Sequence, residues 1–239
     1  MRTVGIIGAM ESEVTDLIAH LGSPAPQEIA GRRFYEGTIG GCPAVVVQSG
    51  IGKVAAGVTA QLLIDRFGAD VLINTGMAGG LDPRLEVKDL VIAADAVQHD
   101  FDMTAWGYAP GYMRGDDQKA PTAYPCDPAL AALAQEAARQ VLPAGVKALT
   151  GRVVSGDVFV ADEDRKRYLL EQFGGTVAEM EGAAIAQVAA DNGVPCLILR
   201  TVSDLAGRDA EISFNELEAY VGTLAGNITA ALLKRMASV

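Results

Sequence analysis

Residues 3–21 read TVGIIGAMESEVTDLIAHL, and this stretch decides the fold class. Thr3 to Ile7 is a short β-branched run closed by Gly8, the pattern of a fully buried strand. From Met10 to Leu21 the period changes. Val14, Leu17, Ile18 and Leu21 fall on one helical face. Glu11 and Glu13 stand in the first turn, where acids suit the helix dipole. A strand, a glycine turn and a helix in direct succession form the repeating unit of α/β proteins.

The unit recurs along the chain. Arg33–Ile39 and Pro43–Gln48 read as strands joined at Gly40-Gly41, and Val54–Phe67 reads as a helix. Val71–Asn74 and Leu90–Val97 read as buried strands. Asp127 is an N-cap with Pro128 at the first helical position, opening a helix to Val141. Lys147–Val154 is a strand, Asp162 caps a helix to Phe173, Glu181–Asn192 is a helix and Cys196–Val202 a buried strand. Ser213 and Glu216 form a capping box for a last helix, which presents Leu217, Val221, Leu224, Ile228 and Leu232 on one face. No linker or repeat divides the chain. The expected architecture is one α/β domain over residues 1–239, a three-layer α/β/α sandwich around a mixed, mostly parallel central sheet. His99–Pro125 is rich in Gly, Pro, Tyr and Asp and has no period, and long irregular segments are usually functional or mobile.

Half of the 239 residues are hydrophobic and 21% are charged, enough to build a core. Nineteen basic against 30 acidic residues give a net charge of −11, which argues against nucleic-acid and anionic-membrane partners. Cys42, Cys126 and Cys196 are too few and scattered for a disulfide framework or a metal site. His20 and His99 are the only histidines, so a zinc site or a histidine-dependent triad has little to draw on. No apolar run approaches the ~20 residues of a membrane helix. The N-terminus lacks the pattern of a signal peptide, so a soluble cytoplasmic protein is expected.

The glycine clusters fail the specific nucleotide-binding tests. Gly5-x-x-Gly8 is not a dinucleotide fingerprint. Gly50-Ile51-Gly52-Lys53 has Val47 in place of the P-loop glycine and Val54 in place of the magnesium-binding hydroxyl. Gly76 to Gly80 opens no helix. Each alone reads as a tight turn. Together they end apolar strands, where open α/β sheets bind ligands. The crevice they would line has Glu11, Glu13, Asp157, Glu179, Glu181 and Asp204 as candidate carboxylates and Arg200 as its arginine. A carboxylate-rich, cofactor-free site suits acid/base hydrolysis through an oxocarbenium-like state. Burial can keep one acid protonated while another stays ionised. For Glu13 alone the helix-dipole reading serves as well. His99-Asp100-x-Asp102 has no second histidine near, so a structural loop is expected in place of a metal site. Lys53 is expected to cap charge at a helix start or to face solvent.

Six segments then occur in order: Gly5-Ile6-Ile7-Gly8-Ala9-Met10-Glu11-Ser12-Glu13, Ser49-Gly50-Ile51-Gly52-Lys53, Asn74-Thr75-Gly76-Met77-Ala78-Gly79-Gly80, Ser155-Gly156-Asp157-Val158-Phe159, Glu179-Met180-Glu181 and Arg200-Thr201-Val202-Ser203-Asp204. In this order they resemble the bacterial 5′-methylthioadenosine/S-adenosylhomocysteine nucleosidases, of the purine nucleoside phosphorylase superfamily. The likeness runs from residue 1 to the last helix.

The resemblance implies hydrolysis of an N-glycosidic bond that releases adenine and a 5-thio-substituted ribose, a step of methionine salvage. 5′-Deoxyadenosine and aminofutalosine are further implied substrates. No cofactor and no metal are implied; the partners are a nucleoside, water and a second subunit of a homodimer. Asp204 takes the place of the acid that protonates adenine N7, and Glu13 that of the base for water. Glu181 would bind the ribose hydroxyls with Met180 against the sugar, and Arg200 would lie near the water and carboxylates. Phe159 would stack on adenine, and the backbone at Val160 would read its edge. Gly79, Glu179 and Ser203 stand in the same motifs and complete the implied binding set. The implied 5′ pocket is Met10, Ile51, Phe159, Met180 and Phe214, closed by Met103, Trp106 and Tyr108 from a partner subunit.

Two positions depart from the pattern. Met77 stands where the family often has a small polar residue. Arg114 stands where a proline often closes the 5′ pocket, and it would suit the charged tail of S-adenosylhomocysteine. A phosphorolytic member of the superfamily is the nearest rival, and it needs cations where Glu11 and Glu13 stand. A non-catalytic nucleoside-binding protein would lack Glu13 or Asp204, and both are present.

Overall fold

β1 (Val4–Gly8) is buried along its whole length and pairs in parallel with β4 (Cys42–Gln48) on one side and β5 (Val71–Gly80) on the other. Its two faces meet different helices. A Cβ on Gly5 would sit 2.9 Å from Leu63 of α2 (Lys53–Phe67), and one on Gly8 would sit 2.7 Å from Val14 of α1 (Glu11–His20). Glycine at both positions lets the helices approach the sheet from either side. The structure is a computed structural model that describes residues 2–115, 117–207 and 210–238; the side chains of 210–216, 219 and 221 lie outside the description.

From β4 the sheet continues through antiparallel β3 (Arg32–Ile39) and β2 (Gln27–Ile29). On the far side of β5 lies parallel β10 (Cys196–Asp204), then antiparallel β6 (Leu90–Gln98), then parallel β8 (Ala148–Ser155) and β9 (Val177–Glu179). β9 pairs back onto β5 at Gly79 and Gly80, so five strands close a ring and the remainder extends as an open sheet. β7 (Ala123–Pro125) pairs with β6. α1, α3 (Pro128–Val141) and α6 (Ala210–Met236) form one packed layer, and α2 with α5 (Gly182–Asn192) forms another. α4 (Glu163–Phe173) follows β8. The result is the expected α/β architecture, a mixed sheet with flanking helices. Among the described residues no helix is long and apolar enough to cross a membrane.

Local signals set most of the boundaries. Asp127 accepts from the backbone N–H of Ala129 and Leu130, both at 2.9 Å, and Asp162 accepts from Arg165 at 2.8 Å. α2, α4 and α5 each end on a glycine in the left-handed conformation. The Ser213–Glu216 capping box falls on side chains outside the description.

One boundary differs in a way that matters for the site. The strand expected over Val71–Asn74 runs on to Gly80, because β10 pairs with it in parallel as far as Gly79. The Thr75–Gly80 segment is therefore strand, not a loop turn. The pairing slips between Val202 and Asp204, a bulge at Ser203 that brings Asp204 opposite Gly79. Bulges of this kind re-aim a side chain beside an active site.

Candidate active site

The carboxyl ends of β1, β5, β9 and β10 open onto one cavity of about 340 Å³. Its walls include Met10, Glu13, Ile51, Met77, Gly79, Phe159, Glu179, Met180, Glu181, Ser203 and Asp204. The volume falls within the ~300–1,000 Å³ usual for small-molecule sites. A narrow extension of about 30 Å³ runs on between Phe159, Val160, Gly79 and Asp204. The fold thus brings together residues from almost every motif singled out in the sequence.

Glu13 is buried on the first turn of α1. Its Oε2 accepts from the N–H of Ala9 at 2.6 Å and of Met10 at 3.0 Å, which caps the helix. Its Oε1 accepts from the N–H of Met77 at 2.9 Å. The capping role and a role in the cavity are carried by one carboxylate. Burial pushes its pKa above the ordinary value, against Arg200 and the three N–H groups that favour the ionised form.

Arg200 lies beneath the site, 1% exposed. Its Nη2 donates to Glu179 and Asn74 and stands 3.8 Å from Glu181. Burial opposes its charge, yet Glu179, Glu13 and Glu181 together hold it more firmly protonated than an ordinary arginine. It does not line the cavity: it acts on the cavity through the carboxylates it holds.

Glu179 has no free oxygen left. It accepts from Ser155 Oγ, from Arg200, from the N–H of Glu181 at 3.1 Å and from the N–H of Gly182 at 2.8 Å. Its carboxylate therefore fixes its neighbours and is not open to a ligand. Glu181 is the freer of the two. Oε1 accepts from the N–H of Gly52 at 2.8 Å, and burial with Glu179 alongside pushes its pKa up to about 7.

Asp204 stands on another wall. Oδ1 accepts from the N–H of Ala206 at 2.7 Å and Oδ2 from Ser203 Oγ at 2.8 Å. Burial raises its pKa, and those two donors with the Lys166 charge only partly oppose the rise. A Cβ on Gly79 would lie 3.0 Å from Oδ1, so glycine there leaves room for the carboxylate.

Other expected residues fall elsewhere. Glu11 does not line the cavity. Asp157 instead caps α2, accepting from the N–H of Lys53 at 2.8 Å. Lys53 Nζ turns away to Asp100 at 2.6 Å and Gln98 at 3.1 Å. His99 is buried beneath Gly156, outside the cavity. Met103, Trp106 and Tyr108 do not line this chain's own cavity; Trp106 is 77% exposed and Tyr108 stacks on Tyr112 at 4.9 Å. Arg114 pairs with Asp191 at 2.5 Å, also away from the cavity. The Phe214 side chain is outside the description.

Asn74, Ser155 and Gly76 stand in the quoted segments, but none of them had a role of its own legible in the sequence. Asn74 donates to the Ile7 carbonyl at 3.0 Å while its Oδ1 receives Arg200. Ser155 joins Glu179 to the N–H of Ala183 at 2.7 Å. The available signal was a lone amide at the end of an otherwise apolar strand.

The family model described as "Phosphorylase superfamily" matches residues 3–238. The chain belongs to the phosphorylase superfamily. Among superfamily relatives, the 5′-methylthioadenosine/S-adenosylhomocysteine nucleosidase of Shewanella halifaxensis (strain HAW-EB4) is 41% identical over 98% of this chain and 99% of its own length. A solved structure of the S. pneumoniae nucleosidase, with the transition-state inhibitor MT-ImmA, superposes with a TM-score of 0.88 at 36% identity, covering 98% of this chain and 99% of that one. The futalosine hydrolase of Helicobacter pylori strain 26695 superposes with a TM-score of 0.89 at 30% identity, covering 98% of both chains.

Proposed function

We propose that the chain hydrolyses the N-glycosidic bond of 5′-methylthioadenosine and of S-adenosylhomocysteine, giving adenine and 5-methylthioribose or S-ribosylhomocysteine. The observation that carries the reading is the pair Glu13 and Asp204: two buried carboxylates on different walls of one cavity, each held by its own set of donors. Hydrolysis of such a bond needs an acid for the leaving group and a base for water.

Adenine leaves poorly as an anion, and protonation at N7 removes that obstacle. Asp204, its pKa raised by burial, is the acid. The purine then occupies the Asp204 end and the narrow extension beside Val160, with Phe159 against its face. Glu13 orients water and takes its proton; three N–H groups aim its carboxylate. Glu181 accepts from the ribose hydroxyls, and Met180 packs against the sugar.

Water suits this site better than phosphate. No lysine or arginine is among the described residues that line the cavity, and Arg200 is spent on Glu179, Glu181 and Asn74. A phosphate dianion would meet Glu13 and Glu181 with no cation to hold it.

A homodimer completes the reading. Ile51, Val54, Val58 and Trp106 are exposed apolar side chains, and Ile51 is also a wall of the cavity. Met103, Trp106 and Tyr108 of a partner subunit would close that wall.

The test is incubation with 5′-methylthioadenosine, with and without phosphate, and identification of both products by mass. Adenine and free methylthioribose, independent of phosphate, are expected. Methylthioribose-1-phosphate formed only with phosphate would make the chain a phosphorylase. The likeness to the futalosine hydrolase makes aminofutalosine the next substrate to assay.

A further inference from the structure

We propose that Lys166, outside the cavity, is a positioning residue for Asp204, acting through the peptide group that joins Leu205 to Ala206. The proposal rests on the nucleosidase reading above, in which Asp204 is the acid.

One peptide group carries both contacts. Lys166 Nζ donates to the Leu205 carbonyl at 2.6 Å. The N–H of that same amide, on Ala206, donates to Asp204 Oδ1 at 2.7 Å. An amide plane is rigid, so a donor held on its oxygen also fixes where its N–H points. Hydrogen bonds in series polarise one another, and a cation on the oxygen strengthens the N–H as a donor to the carboxylate.

The turn needs such a hold. Ala206 is left-handed at φ +53° although it is not glycine. A residue persists there only where its surroundings over-determine it. Its methyl is fully buried in a small core with Val97, Val160 and Leu169. Leu205 before it is 43% exposed, and Lys166 is what meets its carbonyl. The first turn of α4 flanks the bend a second time: a Cβ on Gly207 would lie 2.6 Å from Glu163 Oε1. α4 also follows directly on the purine-facing segment. Val160 lines the narrow extension, and Asp162 caps the helix two residues later. The wall proposed for adenine and the hold on its acid are one continuous piece of chain.

Charge acts in a definite direction as well. Among the described residues Lys166 is the one charge that acts on Asp204, and it favours the carboxylate. Glu13, Glu179 and Glu181 stand on other walls, Arg200 is paired with Glu179 behind them, and Glu163 lies beside Gly207. Burial makes the acid hold its proton; Lys166 opposes that and keeps the proton transferable to N7.

The experiment is the pH profile of kcat and KM with 5′-methylthioadenosine for Lys166→Met, Lys166→Gln and Lys166→Arg. Arg167→Met, an exposed residue of the same helix paired with Asp164, is the control. Lys166 is half-buried and outside the core, so the fold accepts these changes. In Lys166→Met kcat is expected to fall about tenfold or more with KM within about twofold, since aim is lost and ground-state contacts are not. The basic limb of kcat/KM, where Asp204 gives up its proton, should move to higher pH. Lys166→Gln keeps a donor without the charge, so the limb should move as far while kcat falls less. Lys166→Arg keeps both and should restore the limb and most of the turnover. A limb that stays in place in both neutral variants, or moves as far in Arg167→Met, would overturn the proposal. So would unchanged kcat in Lys166→Met, or a loss there that falls on KM alone. A wild-type protein that releases no adenine would remove the nucleosidase reading, and the proposal with it, before any variant is compared.

Discussion

The Glu13 carboxylate and the Arg200 guanidinium meet above the α-carbon of Gly76, where a single added Cβ would overlap both. β5 thus carries glycine there for the sake of two side chains from β10 and α1. Gly76→Ala must push the base or the arginine out of place. Displacements near 1 Å commonly cost about 10²-fold in turnover. A loss of kcat of at least that order is expected, with the fold retained by circular dichroism. Turnover close to wild type would show that the placement of Glu13 and Arg200 over Gly76 does not matter to the reaction.

Asp204→Asn separates chemistry from binding. Removing a general acid typically costs about 10²–10⁴-fold in rate. The amide keeps the shape and can still accept from Ala206. Adenine release should collapse while calorimetry still detects the nucleoside. Retained turnover would dismiss Asp204 as the acid.

The same substitution has a stability consequence of definite sign. Burial raises the pKa of Asp204 in the folded protein. Such a group favours the fold fully below its unfolded pKa, and that contribution is lost as pH rises through the folded value. The amide that replaces the carboxyl cannot ionise, so the variant should melt higher than wild type at pH 8 and show no such advantage at pH 4. Each 1 kcal/mol relieved moves Tm by about 2–4 °C in a chain of this size. Scanning calorimetry at the two pH values measures it; equal Tm differences at both would contradict the burial argument.

Glu181 predicts the acid limb of the pH profile. Its pKa is pushed up to about 7 by burial and by Glu179 beside it. A protonated Glu181 loses the charge with which it accepts from ribose hydroxyls. kcat/KM should therefore fall as pH drops through about 7. Glu181→Gln should lower kcat/KM throughout and flatten that limb. A limb unchanged in the variant would belong to another group.

Much of this was legible in the sequence, for physical reasons that differ by element. β1 and α1 announced themselves because the hydrophobic period switches from strand to helix within a few residues. Asp127 and Asp162 cap where they were read, since capping is local chemistry. β9, only three residues long, left no period to detect. β5 looked finished at Asn74 because glycines break propensity, yet parallel pairing with β10 overrode it. The catalytic candidates stood in recognisable motifs. Their supports stood in the same motifs without a readable role: Asn74 and Ser155 reach Arg200 and Glu179 across the sheet, and contacts made by topology leave no mark on spacing. Asp157, read beside the crevice, caps α2 through the N–H of Lys53, and the Lys53 side chain, expected to cap charge at a helix start or to face solvent, pairs with Asp100.

The partner-subunit reading is testable on the exposed face itself. Val54 is 79% exposed at the start of α2, one turn before Val58 and three residues after Ile51. An aspartate at Val54 would place a charge in a desolvated interface if two copies meet there, and at a solvated surface if they do not. Surface changes away from any interface usually lie within about ±0.5 kcal/mol, so the monomer should tolerate the substitution. Val54→Asp is therefore expected to halve the mass by sedimentation while keeping the fold. Because Ile51 also walls the cavity, kcat/KM should fall about tenfold or more with it. Trp106→Ala should cost activity without contact to its own cavity. A dimer that survives Val54→Asp with full activity would place the closing residues elsewhere, and would return Trp106 to its own chain's surface.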